Sequence, residues 1–459
     1  MIAVNRTALP EVGPISDFKL PAIKCSTLTN GTKLWTAEHS RAPVLSLMLL
    51  LPFGAAADSP DQYGLAALTA DLLDEGSEAR SLVEIHKSLL HIGGYISTEV
   101  TSDATVISLT TLARHFREGL TLLSEIVFSP RFDSEDVMRI RDLRCHRIRQ
   151  MLQSPTAVAD RIFLESLYGN HPYGHLSIGT DETLRNLEQT AVKAFHKRWY
   201  LPSQMTLVAI GDITEDALRE AAEDIFLYKS SKDNRLTTTA QFPDPSPIAN
   251  RLVFISRPGS VQSEVRIGHV GAARSSSNYY ALSVLNMVLG GQFVSRLNLN
   301  LREAKGYTYG ARTSFDWRLH PGPFLAQFSV DTLSTADAIV ETVGEIADIS
   351  SKRPVTVEEL TMAKAALTRG FPKRFETATQ IARASIELAL HKLPANYYTN
   401  FVSRIMAVDI NNISEVAKLH LRSDELIAIV VGASPNILDN LSSLGFGDPV
   451  VRGSYAGSE

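Results

Sequence analysis

The 459-residue chain is written twice, and this duplication limits its fold more than any other feature. Four features recur in the same order at a period of about 220 residues. The first is a strand-like run ending in small residues, Ser46 to Ala55 and again Val265 to Ala273. The second is a helical stretch just after a tyrosine, Tyr63 to Leu73 and Tyr280 to Leu289. The third is a glycine followed by an alternating strand, starting at Gly94 and at Gly310. The fourth is a helix start, with Asp133 or Ser134 and then Thr356 as N-caps ahead of first-turn acids. Each half closes on an apolar strand and a glycine, Met205 to Gly211 and Leu426 to Gly432.

A period this long lies far beyond the roughly 20–50 residues of a solenoid unit, so it reads as a duplicated domain. Apolar runs of period two alternate with helical patterns such as Leu82, Ile85, Leu89 and Leu90. The expected fold is α+β, with two homologous domains. Each is a mainly antiparallel sheet with helices on one face, and the pair forms a clam-shell. The segment from Lys229 to Asn250, polar and then proline-rich, suits an exposed linker. The expected division is 1–228, a linker at 229–250, and 251–459.

Composition removes several classes of function. The net charge of -5 gives no electrostatic reason to expect nucleic acid or an anionic membrane as partner. Cys25 and Cys145 stand far apart, which argues against a disulfide framework or a thiolate metal site. The apolar run from Val44 to Leu51 stops at Pro52, short of the ~20 residues that span a bilayer. No secretory signal is visible at the N-terminus, so a cytoplasmic location is expected, and a periplasmic one stays open if the true start differs. None of the twelve histidines forms a persuasive set. His86 and His91 are five apart, Pro172 and Gly174 interrupt His171 and His175, and His146 has no partner histidine nearby in sequence, so a structural or surface role is expected for each of these.

Three stretches carry a family resemblance. They are Tyr168-Gly-Asn-His-Pro-Tyr-Gly174, Phe195-His-Lys-Arg-Trp-Tyr-Leu-Pro202, and the run from Leu289-Gly-Gly-Gln-Phe to Gly-Tyr-Thr-Tyr-Gly310. With them, the chain from about Thr29 to Ser434 resembles the pitrilysin/insulinase zinc peptidases, in particular the short, processing-peptidase-like members. The resemblance implies zinc held in the first half by His-x-x-Glu-His after Gly-Leu-Ala, with a distal glutamate. Here Gly64-Leu-Ala66 is followed by Ala67, Ala70 and Asp71 at those three positions, and Arg147 falls at the distal one. No zinc is therefore expected on this chain. Asp71, Asp74, Glu75 and Glu78 follow helical spacing and read as a solvated helix end, or as a cavity lining that tunes substrate charge.

The resemblance also implies a second contribution, an arginine and a tyrosine seven residues apart, present here as Arg302 and Tyr309 in Leu301-Arg-Glu-Ala-Lys-Gly-Tyr-Thr-Tyr309. Gly306 should end the helix, leaving Arg302 on its last turn and Tyr309 at the start of the next strand. Without the resemblance, Arg302 would be read as paired with a surface carboxylate and Tyr309 as a half-buried strand residue. With it, both are expected to bind the peptide and act in catalysis. Gly290 and Gly291 are expected beside the substrate, or simply as a tight turn. The implied protein is the non-zinc subunit of a heterodimeric peptidase, with cofactor zinc on a homologous partner that keeps His-x-x-Glu-His. The alternatives are a catalytically silent structural subunit and a peptide-binding subunit.

Overall fold

The computed structural model describes residues 20–226, 242, 245, 250–433 and 435–453. The expected linker at 229–250 lies almost wholly outside these residues. The first half builds a six-stranded sheet from β1 (Lys24–Thr27), β2 (Lys33–Glu38), β3 (Val44–Leu51), β4 (Tyr95–Val100), β5 (Thr105–Leu112) and β6 (Thr206–Gly211), in the order β1-β2-β6-β3-β5-β4. The second half builds β7 (Leu252–Ser256), β8 (Gln262–Val270), β9 (Ala311–Phe315), β10 (Pro323–Asp331), β11 (Ile427–Gly432) and β12 (Val450–Arg452), in the order β12-β7-β11-β8-β10-β9. The two orders superpose strand for strand. In each sheet one parallel step beside the closing strand, β2 with β6 and β7 with β11, is followed by three antiparallel ones. The short outer strands β1 and β12, supplied by opposite ends of the chain, differ in direction, antiparallel and parallel. The α+β, two-domain reading and the mainly antiparallel sheets are borne out.

The closing strands explain why the central runs are apolar at every position. In β3, Leu45, Leu47, Leu49 and Leu51 pack among the first half's own helices, while Met48 and Leu50 face the other way. That second face is covered by a helix of the other half, Ala378–Leu390. The reverse also holds. Helix Pro155–Tyr168 of the first half packs Val158, Ile162 and Phe163 against Ile427, Ile429 and Val431 of β11, while Ala428 and Val430 face the second half's own helices. Each half thus donates one helix to the outer face of the other's sheet, and a strand buried on both faces loses the period-two alternation. The expectation of helices on one face holds for each half's own helices. The second face is covered from across the molecule, a contact no local pattern encodes.

Polar contacts lock the exchange. Arg266 of β8, 2% exposed, donates from Nε to Asp160 on the donated helix at 2.6 Å. The Tyr168-to-Gly174 motif lies at the same junction. Tyr168 Oη donates to Pro321 O at 2.9 Å, Tyr173 Oη donates to Asp103, and the Asp103 carboxylate also accepts from the Leu319 N–H at 2.8 Å. Among the described residues, no helix is long and apolar enough to cross a membrane.

Truncating Ile381, 1% exposed on helix Ala378–Leu390, is expected to cost about 2–5 kcal/mol. Because that helix belongs to both cores, the loss should appear in one shared unfolding transition. Denaturation followed by hydrogen exchange in β3 and in β11 checks this, and separate midpoints for the two strands would contradict it.

Candidate functional site

The second-half site stands where a helix turns into the edge strand β9. Helix Tyr279–Leu289 ends at Gly290 and Gly291, whose N–H groups both donate to Asn286 O, at 3.0 and 2.7 Å. A Cβ on Gly290 would lie 2.5 Å from the Thr313 backbone nitrogen, so the loop meets β9 at a distance only glycine allows. Gly290 O in turn accepts from the Thr313 N–H at 3.2 Å. The tight-turn reading of this pair holds.

Beyond the glycines, residues Asn298–Ala304 form a π-helix that carries Arg302. Single-turn π segments are rare and concentrate at functional sites. Arg296, 6% exposed, braces the segment with a two-pronged ion pair to Glu359 at 2.7 Å on both oxygens. Asn300 adds bonds to Glu341 and Glu345, each at 2.9 Å. The helix ends at Ala304, and Gly306 takes φ +67°, as expected of a residue that reverses the chain. Tyr309 lies in the turn two residues before β9, not at the strand's first position as expected, because the six-residue connection 305–310 delays pairing until Ala311.

Of the two local alternatives, the one for Tyr309 fails and the one for Arg302, a surface carboxylate partner, is met by Glu303. Tyr309 is 93% exposed, so it is no half-buried strand residue. Among the described residues, Arg302 has its sequence neighbour Glu303 as its one ionic contact, at 3.6 Å. Its guanidinium lies over the ring of exposed Phe293, 4.2 Å from the centroid. Such stacking holds a guanidinium by its face at about 0.5–1 kcal/mol and leaves its N–H edge free to donate. Phe293 was not singled out in the sequence. Its signal was an aromatic residue in a glycine loop nine positions before the arginine.

The first half treats the same topological position differently. There an ordinary helix, Leu82–His91, leads into β4 through residues 92–94, and the Gly94 N–H closes on Leu89 O at 2.8 Å. The connection has three residues where the second half has six, and none of them resembles Tyr309.

Ala67, Ala70 and Asp71 lie on helix Leu65–Asp71, which packs beside β4 and helix Ser134–Met151. Buried Asp58 fixes the start of that helix, accepting from the Gly64 and Ala66 N–H groups at 2.8 Å each. Burial pushes the Asp58 carboxyl up, and the nearby His175 and the two N–H groups pull against it. His175 stacks on Tyr63 and contacts Ala55 O at 3.0 Å, while His171 accepts from the Tyr173 N–H, so both are structural as expected. Ala67 and Ala70 are buried methyl groups. Asp71 accepts from Arg144 Nη1 at 2.6 Å, with Arg147 Nη1 at 3.8 Å. Arg144 is 5% exposed and also donates to Ser177 O at 3.2 Å.

The reading of Asp71, Asp74, Glu75 and Glu78 as one solvated helix end is therefore corrected. The helix stops at Asp71, and both Asp71 and Glu75 are ion-paired to arginines of helix Ser134–Met151. Arg144 was missed as Asp71's partner, although it stands one helical turn before Arg147 on the same face. Zinc, implied by the resemblance, does not fit here. Of the three ligand positions, Ala67 carries no donor atom and Arg147 only a guanidinium, and the remaining carboxylate, Asp71, is flanked by Arg144 and Arg147. Among the described residues, no group of three or more His, Cys, Asp or Glu is placed to hold a metal ion.

Two duplicated α+β halves with exchanged helices define a two-domain α+β fold. Residues 34–181 match the family description "Insulinase (Peptidase family M16)", and residues 186–367 match "Peptidase M16 inactive domain". The chain belongs to the M16 peptidase family. It is 23% identical over 428 residues to an uncharacterized zinc protease of Mycobacterium tuberculosis, covering 92% of this chain and 96% of that one. It is 21% identical over 397 residues to the non-peptidase homolog YmxG of Helicobacter pylori, covering 86% and 90%. The fold matches the crystal structure of a peptidase M16 inactive domain from Pseudomonas fluorescens at a TM-score of 0.83 and 23% identity, over 90% and 98% of the two chains.

Two outcomes follow from the Asp71–Arg144 pair. Replacing Asp71 with alanine strands a buried guanidinium. The cost is expected at about 2–3 kcal/mol, below the range for a fully buried pair because Asp71 remains 29% exposed; urea denaturation measures it. Installing the motif implied by the resemblance, with Ala67→His, Ala70→Glu, Asp71→His and Arg147→Glu, should still give no stoichiometric zinc by elemental analysis. Adding Arg144→Leu should be needed to obtain it.

Proposed function

We propose that this chain is the non-zinc subunit of a two-chain metalloendopeptidase, contributing Arg302 and Tyr309 to peptide binding and transition-state stabilisation at a site whose zinc lies on a homologous partner with His-x-x-Glu-His. In this reading the first domain, 1–228, and the second, 251–459, are joined by the linker at 229–250. The observation that carries the reading is the presentation of the pair. Tyr309 is almost fully exposed, and the Arg302 guanidinium rests on Phe293 with, among the described residues, its neighbour Glu303 as its ionic contact.

The chemistry suits that placement. Hydrolysis of a peptide builds negative charge on the scissile carbonyl oxygen, and a phenol O–H and a guanidinium N–H both donate to such an oxygen. Arginine keeps its charge at any working pH, so its contribution does not depend on proton uptake. A site preorganised in this way stabilises the developing charge without reorganising at the moment of reaction. The unsuitability of the first half for zinc supports the division of labour. The "inactive domain" match and the non-peptidase relative agree with a chain that does not hydrolyse peptides alone. Gly290 and Gly291 bring the corner close to β9, beside the expected path of the substrate.

The lone chain is expected to show no hydrolysis of a fluorogenic peptide and no stoichiometric zinc. With the zinc-bearing homologue of the same organism it should support turnover. Tyr309→Phe should then lower kcat by about 100–1,000-fold while assembly, followed by sedimentation, is unchanged. Turnover with bound zinc in the lone chain would refute the reading. A Tyr309→Phe complex of unaltered kcat would point to a structural or peptide-binding subunit instead.

A further inference from the structure

The corner that carries Arg302 and Tyr309 is closed by one buried amide. Asn298, 6% exposed, is the first residue of the π-helix. Its Oδ1 accepts from the Ala311 N–H at 3.0 Å, and its Nδ2 donates to Ala311 O at 2.8 Å. It thereby engages both peptide groups of the first β9 residue, as a neighbouring strand would. The same Nδ2 donates to Ser295 Oγ at 3.1 Å and Gln292 O at 3.2 Å, tying in the loop that holds Phe293. Among side chains, only the primary amides present a donor and an acceptor of this kind side by side on one neutral plane.

Asn298 thus touches all three pieces of the corner. Arg302 follows it by four residues on the same helix, Tyr309 precedes Ala311 by two, and Phe293 sits between Gln292 and Ser295. Within the corner, the Tyr307 N–H donates to Leu301 O at 2.8 Å and the Thr308 hydroxyl pairs with Gly310 at 3.1 Å. No bond in that inner set spans from the π-helix to β9; the Asn298 amide does. The first half makes its three-residue turn through backbone N–H groups, Gly93 to Leu90 O at 3.1 Å and Gly94 to Leu89 O at 2.8 Å.

We infer that Asn298 is a positioning residue, which fixes the separation of the Arg302 guanidinium and the Tyr309 hydroxyl and so makes them act as one unit; this rests on the role given to the pair above. Because the bond is buried and bidentate, a small change in it displaces Tyr309 relative to Arg302 without altering either side chain. A displacement on the order of 1 Å at such a site can cost roughly 100-fold in rate.

The test uses Asn298→Asp, which keeps size and the acceptor but removes the donor and sets a carboxylate against Ala311 O and Gln292 O. In the complex with the zinc-bearing homologue, cleaving a fluorogenic peptide, kcat is expected to fall about ten- to 100-fold with KM nearly unchanged. Combined with Tyr309→Phe, the loss should be well below the product of the two single losses, because both act through the same hydroxyl. A loss equal to that product, or one confined to KM, overturns the inference. The bracing is also read without activity. In the isolated chain, Asn298→Asp should speed amide exchange over 305–311 and leave β6 unchanged, and unaltered exchange there overturns the inference as well. Tyr309→Phe alone reports on the pair's role, so its failure is distinguishable from failure of the brace. If Asn298→Asp does not fold, Asn298→Ser, too short to reach Ala311, takes its place in both measurements.

Discussion

The molecule depends on keeping water from both faces of two sheets with a limited set of helices. An open sheet with one bare apolar face is not stable in water, and the strand-side burial seen in β3, β6 and β11 leaves no polar face to expose. Each half's own helices cover one face. The remaining face is closed by helix Pro155–Tyr168 in one direction and Ala378–Leu390 in the other. The cross-contacts at Arg266, Tyr168 and Asp103 then follow as the polar fastening of an apolar exchange. The arginine–tyrosine corner inherits its rigidity from the same arrangement, since Arg296 and Asn300 anchor it to helices packed on the second sheet.

The Asp71–Arg144 contact shows how a guanidinium can stand where the family resemblance implies a metal. A divalent cation among buried ligands screens their charge and cross-links the helices that bear them. A guanidinium does the same with one charge and five directed N–H groups, provided a carboxylate faces it. Arg144 meets that condition by reaching from helix Ser134–Met151 to the end of helix Leu65–Asp71. The nearby Tyr200 hydroxyl is held up in pKa, first by burial and then by the charge of Asp71, so it remains a neutral phenol beside the ion pair.

Much of this was legible in the residues. The period near 220 residues located both sheets, and the matched glycines Gly94 and Gly310 located both edge strands. The spacing of Arg302 and Tyr309 placed them at one corner. What sequence did not carry was anything set by contact across the chain. Arg144 reads as one of several arginines on a polar helix until Asp71 is placed opposite it. The exchange of helices left its only trace in the unbroken apolar strands, which can equally mark a sheet covered by local helices. Asn298 lay inside the recognised motif, yet its role depends on Ala311 thirteen residues away being close in space.

The exchange also bears on how such a chain can change through descent. Once each copy of the duplicated domain roofs the other, neither can be deleted or traded without exposing a sheet of the survivor. Reactive groups are under no such bond, since Ala67, Ala70 and Asp71 pack and pair as well as any ligand set would. The first half is therefore held in place whatever groups it carries at 67, 70 and 71, as the roof of the half that holds Arg302 and Tyr309.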